Sequence, residues 1–238
     1  MGVKYAGPFA HDCGPCPYLP ERRWRTLSLI VDELDPEDLE RMLAQGFRRC
    51  ARSCYINACR GCQECIPIRV PISTFEMSRS QRSAWKKNQD LTVEVVDARF
   101  TREAYELYAE YCQDKFSKPR PEEEDFTGFL VENLGCTKHF EYRLEGRLVG
   151  LGVVDVTPRA ANSVYFAYDV ACGARRLGTF SALYELDWCR RTGRDYLYLG
   201  FYVRDCRAMR YKSAFSPHEI LRPQEGWRPP HPGETPHD

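Results

Sequence analysis

Apolar and polar positions follow different rhythms in the two halves of this chain. In the first half, residues 25–31 (Arg-Thr-Leu-Ser-Leu-Ile-Val) are a run of strand length. Asp35-Pro36-Glu37-Asp38 then opens a helix, with Asp35 as cap, Pro36 in the first turn and the acids at the positive helix end. Leu39, Met42 and Leu43 give that helix an apolar face, and Gly46 stops it. A further strand is predicted over residues 47–55. Residues 66–72 alternate around Pro67 and Pro71, which suits an edge strand. Ser78 caps a second helix, on which Arg79, Arg82, Lys86 and Lys87 share one face. Trp85 falls among them, an aromatic able either to pack inward or to stack on a base.

The second half opens with a helix over residues 102–116, with Tyr105, Tyr108, Ala109 and Cys112 along one side, and a short helix over residues 125–133. Strands follow at residues 140–144, 148–156 and 163–170, the first two joined by a hairpin turn at Glu145-Gly146. A long helix over residues 178–191 ends at Thr192-Gly193, and residues 195–203 read as an aromatic-rich buried strand. Strand, strand, glycine turn, helix, strand is the order of an acetyltransferase-like (GNAT) core. The expected fold class is α/β, with a cysteine-rich N-terminal domain over residues 1–91 and a GNAT-like domain over residues 92–227. The proline-bearing tail, residues 228–238, is expected to be disordered.

With 238 residues and 43% hydrophobic content, the chain can bury a real core. A formal net charge of +0 excludes bulk attraction to nucleic acid or membrane. The average hides a local excess: residues 47–87 carry nine Arg or Lys against two acids, Glu64 and Glu76, leaving +7 there and −7 elsewhere. No acid falls between Ser78 and Gln89, so the basic helix face is read as a polyanion contact rather than a mixed solvated surface. The start of the chain lacks an apolar targeting core, and no run reaches transmembrane length, so a cytoplasmic protein with no membrane partner is expected.

Seven of the twelve cysteines precede residue 66, among them the ladder Cys59-x-x-Cys62-x-x-Cys65 and the pair Cys13-x-x-Cys16. Without a secretory signal they read as thiols or metal ligands rather than disulfides. A four-sulfur set suits zinc and an iron–sulfur cluster equally, and reduced free thiols remain a third reading. Cys112, Cys136, Cys172, Cys189 and Cys206 read as small buried hydrophobes, and His11, His139 and His218 as isolated. In GNAT folds the turn entering the long helix cradles coenzyme A phosphates; here it is Arg175-Arg176-Leu177-Gly178-Thr179-Phe180. Phe180 stands where a minimal side chain is needed, which argues against coenzyme A as donor and for an acyl group carried on RNA.

Taken in order, these motifs resemble the bacterial aminoacyl-tRNA–protein transferases, the leucyl-transferring branch of the arginyltransferase family. The resemblance rests on Cys16-Pro-Tyr18-Leu19-Pro20, Gly46-Phe47-Arg48-Arg49, the cysteine ladder with Pro67 and Arg69, and Ser78-Arg79-Ser80-Gln81-Arg82. It continues through Tyr168-Asp169, Leu177-Gly178-Thr179, Tyr198-Leu199-Gly200 and Met209-x-Tyr211-Lys212. Asn57 replaces a usual proline, Cys50-Ala51 replaces Ser-Gly, Ala167 replaces an aromatic, and residues 112–121 lack an Arg-His motif. The resemblance implies transfer of an amino acid, leucine or alternatively arginine, from charged tRNA to proteins with an N-terminal Asp or Glu, marking them for N-end rule degradation. It implies Asp169, Tyr168, Tyr211 and Lys212 at the reacting centre, Asp169 on the acceptor amine and Lys212 or an arginine on the acceptor carboxylate. Arg79, Arg82, Lys86 and Lys87 are the expected tRNA contacts. Cys16, Cys59, Cys62 and Cys65 are the implied set for an iron–sulfur cluster or zinc, no cofactor being required for the chemistry. A coenzyme A-dependent N-acetyltransferase and a zinc-ribbon RNA-binding protein are the rival readings.

Overall fold

The computed structural model describes residues 4–132 and 135–235. Its first strand, β1 (Lys4–Pro15), pairs antiparallel with β2 (Arg23–Glu33) through repeated register shifts. Gly7, Pro8 and Gly14 break the alternation a regular strand would show, so the residue pattern alone does not reveal it. Helix α1 (Pro36–Ala44) follows, with Asp35 extended at the cap and Pro36 in the first turn. Residues 47–55, expected as one strand, are split into the hairpin β3 (Arg48–Cys50) and β4 (Ser53–Asn57), folded at Ala51 with a φ of +50°. These strands form an antiparallel sheet in the order β1-β2-β4-β3.

The chain continues through β5 (Ile66–Pro71), α2 (Arg79–Lys87), β6 (Leu91–Asp97) and α3 (Arg102–Phe116). Ser78 and Gln81 cap α2 reciprocally, as its sequence predicts. The expected helix over residues 125–133 is a single turn, α4 (Glu123–Phe126), running into a π-helical turn, Thr127–Val131; residue 133 lies outside the described residues. Next come β7 (Thr137–Leu144), β8 (Arg147–Val156), β9 (Ala160–Tyr168), a 3-10 turn at Val170–Arg175, α5 (Leu177–Arg191) and β10 (Tyr196–Tyr202). Two short helical turns, α6 (Arg207–Arg210) and Tyr211–Ala214, precede β11 (Glu219–Arg222) and β12 (Gly226–Arg228).

Strands β5 to β12 build one eight-stranded sheet in the order β12-β11-β5-β10-β9-β8-β7-β6. Every pairing is antiparallel except β9 with β10, which α5 joins as a crossover helix. This is the acetyltransferase-like arrangement. Helix α5 covers one face, its Phe180, Leu183 and Leu186 packing with Ile68, Val70, Phe140 and Val154. Helix α3 covers the other, with Ala104, Leu107 and Ala109 against Leu148, Leu151 and Val153.

Two expectations change. Strand β5 is interior rather than an edge: β10 pairs with it along its length, while β11 reaches only Ile68 and Arg69, between the two prolines that cannot donate to a ladder. The sheet therefore crosses the expected boundary at residue 91, and α2 also packs on α5, with Trp85 on Phe180 at 5.4 Å between ring centres. Residues 228–235 of the tail are also tied down, and residues 236–238 lie outside the described residues. Glu234 pairs with Arg222 at 3.1 Å and Arg228 at 2.8 Å, and Thr235 is buried against His218 Nε2 at 2.9 Å. Composition misses such pairing because it counts prolines, not partners.

A third apolar cluster joins the two sheets, with Val31, Leu39, Leu43 and Cys54 against Cys136, Ala160 and Tyr198. Beside it Arg49 reaches from β3 to the large sheet. Its Nε donates to Asp155 Oδ2 at 2.9 Å and its terminal nitrogen to Asp155 Oδ1 at 2.7 Å, both side chains fully buried. Thr137 and Asn162 donate to the same carboxylate at 2.7 and 3.0 Å. In Asp155→Ala the guanidinium stays buried without a counter-charge, a loss of roughly 3–5 kcal/mol for a pair of this kind, readable in denaturant unfolding. A loss below about 1 kcal/mol would mean that the apolar cluster, and not the ion pair, holds the hairpin to the sheet.

Candidate active site

The parallel strands β9 and β10 pair at Ala160, Ala161 and Asn162 against Tyr196, Leu197 and Tyr198, and then separate. At that point Gly200 takes a φ of +86° and the register of β10 against β5 shifts. Two parallel strands that stop pairing while both run on leave a wedge between them. Arg48, on β3, fills its root. One terminal nitrogen donates to Asn162 Oδ1, the other to Ser163 O at 3.0 Å. A Cβ on Gly200 would lie 2.9 Å from the guanidinium, so the close approach requires glycine as much as the positive φ does.

Lys212 and Tyr211 stand within reach of this cation's charge, and Glu185 within reach of Tyr211. Lys212, buried, donates from Nζ to Phe201 O at 2.9 Å; burial first, and then the Arg48 charge, push it down to about 7. Glu185 on α5 is fully buried, accepts from Ser181 Oγ at 3.0 Å, and has an Oε2 without a hydrogen-bond partner. Burial raises it to about 7, against the pull of the Ser163 and Ser181 hydroxyls. Tyr211 has half its surface open to solvent, yet enough protein stands around the ring that desolvation, with Glu185 adding its charge, pushes the phenol up to about 12.

Of the four residues expected at the reacting centre, Lys212 and Tyr211 stand within reach of Arg48, and Tyr168 is tied to Tyr211 through Tyr111. Tyr168 and Tyr211 both act on the phenol of Tyr111, raised mainly by burial, and Tyr168 lies 5.0 Å from the Tyr111 ring. Tyr168 also stacks on Phe166, and its hydroxyl meets Lys115 Nζ at 3.3 Å. Asp169 is the exception. Its Oδ1 accepts the Ala171 amide at 2.9 Å and its Oδ2 pairs with Arg147 at 2.7 Å, so both oxygens are engaged in the turn after β9. The Arg147 guanidinium and the amide hold its carboxyl below the usual range despite partial burial. The expected contact of Asp169 with the acceptor amine has no support in this geometry.

Arg79, Arg82, Lys86 and Lys87 are all exposed on α2, and none makes an ion pair among the described residues. Trp85 packs inward, against Phe180 and Tyr184. Phe180 also turns into the core rather than toward a ligand, correcting the expectation that its side chain blocks the turn. Helix α2 does that instead: Lys87 and Asn88 take the carbonyls of Ala174 and Arg175 at 2.7 and 2.9 Å, and Arg176 reaches Ser80 Oγ at 2.9 Å.

Cys16, Cys59, Cys62 and Cys65 are gathered: burial, then the other three thiols, push Cys65 up to about 12. Backbone amides of Leu19 and Arg25 donate to the sulfurs of Cys16 and Cys59 at 3.4 Å, as they do around sulfur-held metals. Among the described residues, no three His, Cys, Asp or Glu side chains already stand in a metal-holding arrangement. The ladder lines a cavity of about 720 Å³ with Ile56, Pro67 and Phe201. Cys112, Cys136 and Cys189 are buried as expected, but Cys172 and Cys206 are only half-buried.

A mixed sheet with one parallel pair parting over a crossover helix defines an acyltransferase-type fold. The family follows from comparison. A model of the arginine-tRNA-protein transferase C terminus matches residues 103–222 and one of the N terminus residues 14–83. The chain belongs to this family. Aspartate/glutamate leucyltransferase of Marinobacter nauticus is 36% identical over 92% of this chain and 93% of its own length. That of Stutzerimonas stutzeri is 36% identical over 87% and 89%. Among solved structures, L-PGS from Bacillus licheniformis overlays with a TM-score of 0.47 at 14% identity, over 70% of this chain and 50% of the other.

Glu185 carried a sequence signal that was not used: it lies on the buried face of α5, four residues after Ser181. Its raised carboxyl gives a pH test. The folded state keeps a proton that the unfolded chain releases near 4.5, so stability falls as pH rises from about 4.5 to about 7 and levels off above. Glu185→Gln should abolish that fall, a relative gain on the order of 3 kcal/mol by pH 8 in denaturant titrations. Parallel wild-type and variant curves across this range would mean that Glu185 titrates normally.

Proposed function

We propose that this protein transfers leucine from leucyl-tRNA to the N-terminal Asp or Glu of other proteins, marking them for N-end rule degradation. The observation that carries the reading is the wedge, where the Arg48 cation and the Lys212 amine, pushed down to about 7 and so only partly charged, stand with no carboxylate paired to either among the described residues. Such a place suits an acceptor bearing a negative side chain. The relatives' names supply the donor and the two acceptor residues. The description of the matching family favours arginine as a second donor, so leucyl- and arginyl-tRNA belong in one assay. Coenzyme A is disfavoured because α2 occupies the turn before α5. The proposed setting is the cytoplasm; among the described residues, no helix is long and apolar enough to cross a membrane.

The reaction is aminolysis of an ester. The neutral α-amine of the acceptor forms a bond to the ester carbonyl carbon, the bond from that carbon to the ribose oxygen breaks, and one amine proton ends on the ribose oxygen. An ester is activated enough that positioning supplies much of the acceleration. Tyr168, Tyr211 and Lys212 are the proposed groups around the reacting atoms. The Arg48 charge disfavours an α-ammonium beside it and so favours the attacking neutral amine. The four gathered thiols are proposed to hold zinc or an iron–sulfur cluster, the amide donors at Cys16 and Cys59 suiting either; metal analysis of protein purified without oxygen separates them.

Labelled leucine should pass from leucyl-tRNA to a peptide beginning with Asp; transfer from arginyl-tRNA alone would reassign the donor, and transfer from neither would remove the reading. The exposed cations of α2 are the proposed tRNA contact. Arg79→Gln with Arg82→Gln should raise KM for charged tRNA and lower the slope of log K against log salt by about two units, leaving the peptide KM nearly unchanged. An unchanged salt slope would move the RNA elsewhere.

A further inference from the structure

Two adjacent arginines leave β3 with opposite fates. Arg49 meets Asp155, which Thr137 and Asn162 also serve, so its charge is matched inside the fold. Arg48 enters the wedge and meets only neutral oxygens, those of Asn162 and Ser163, and makes no ion pair among the described residues. A guanidinium carries five N–H donors, so two bonds leave three unclaimed. Desolvation disfavours its charge, while the phenols of Tyr55 and Tyr18 and, beyond ion-pair distance, the Asp155 carboxylate that Arg49 already holds favour it. Lys212 lies within reach of its field, which together with burial pushes the amine down to about 7. A cation desolvated without a partner is costly to a fold, and the cost is relieved when a ligand brings the missing anion.

We propose that Arg48 is the residue that reads the acceptor, its free N–H groups gripping the side-chain carboxylate of an N-terminal Asp or Glu. The assignment deepens the function proposed above and rests on it. A planar guanidinium fixed by Asn162 and Ser163, lying flat over Gly200, presents a fork that matches a carboxylate in two parallel bonds. The tRNA phosphates have their own proposed partners in the exposed cations of α2, whereas Arg48 is half-buried where β9 and β10 part. The donor's amino group is a poor candidate for this place, since Arg48 and the partly charged Lys212 repel it. Asn and Gln, equal in shape to Asp and Glu but uncharged, are discriminated because they leave the guanidinium unmatched.

Equilibrium binding of peptides beginning with Asp or Asn, identical otherwise, tests the assignment apart from turnover. The wild-type protein should bind the Asp peptide, and Arg48→Gln should lower its preference for Asp over Asn by roughly 100-fold, the usual scale for removing one partner of a desolvated charge pair. The same ratio should fall in leucyl transfer, with KM for leucyl-tRNA unaltered. Arg48→Lys keeps the charge and loses the fork, and should show an intermediate loss; it serves if the glutamine variant does not fold. An undiminished Asp preference in a folded variant, a wild-type protein that binds both peptides alike, or a rise confined to KM for tRNA would overturn the assignment. Binding selectivity without leucyl transfer would leave Arg48 as the acceptor reader and contradict only the donor.

Discussion

The buried pair of Arg49 with Asp155 fixes the relation of the two sheets, and the site depends on that relation. Successive side chains of a strand leave on opposite sides, so once Arg49 is locked onto β8, Arg48 must point the other way, into the gap between β9 and β10. A buried ion pair of this kind contributes little net stability over an apolar filling, because desolvation offsets most of the attraction. Its contribution is register. Asn162 links the two arginines directly, donating to Asp155 and accepting from Arg48. A slip of the hairpin by one residue would exchange their places.

The wedge itself comes from the sheet. A parallel pair inside an otherwise antiparallel sheet needs the long crossover through α5, and the pair survives for only three residues before Gly200 bends β10 away. Arg48, Lys212 and Tyr211 then meet at backbone that has lost its ladder partner, Tyr168 is tied to them through Tyr111, and Glu185 approaches Tyr211 from α5. The turn before α5, a phosphate cradle in coenzyme A enzymes, is given over to structure: α2 seals it and turns its cations outward. One fold thus separates a shielded cationic recess from an exposed cationic helix.

Much of this was legible in the residues. Strands β2, β8, β9 and β10 and helices α2, α3 and α5 followed from periodicity, and the cap of α2 from Ser78. The family resemblance, rather than the ladder alone, picked Cys16 to join Cys59, Cys62 and Cys65, and the Cys65 thiol feels the other three. What escaped depends on contacts between distant segments. Strand β1 is built of bulges, β5 joins a sheet whose other strands begin twenty residues later, and the tail is held by Glu234. Asp169 looked catalytic beside Tyr168 because sequence does not show Arg147 across the hairpin claiming its carboxylate. Arg48 was visible as one basic residue among nine and as part of the Gly46-Phe47-Arg48-Arg49 motif; its difference from Arg49 exists only once Asp155 has taken one of them.

The most direct test is the structure of this protein bound to a peptide beginning with Asp. The account predicts the side-chain carboxylate on the Arg48 guanidinium, with the α-amine turned toward Tyr168 and Tyr211. A peptide seated instead in the cavity beside Cys59, Cys62 and Cys65, with Arg48 still bound only to Asn162 and Ser163, would contradict it.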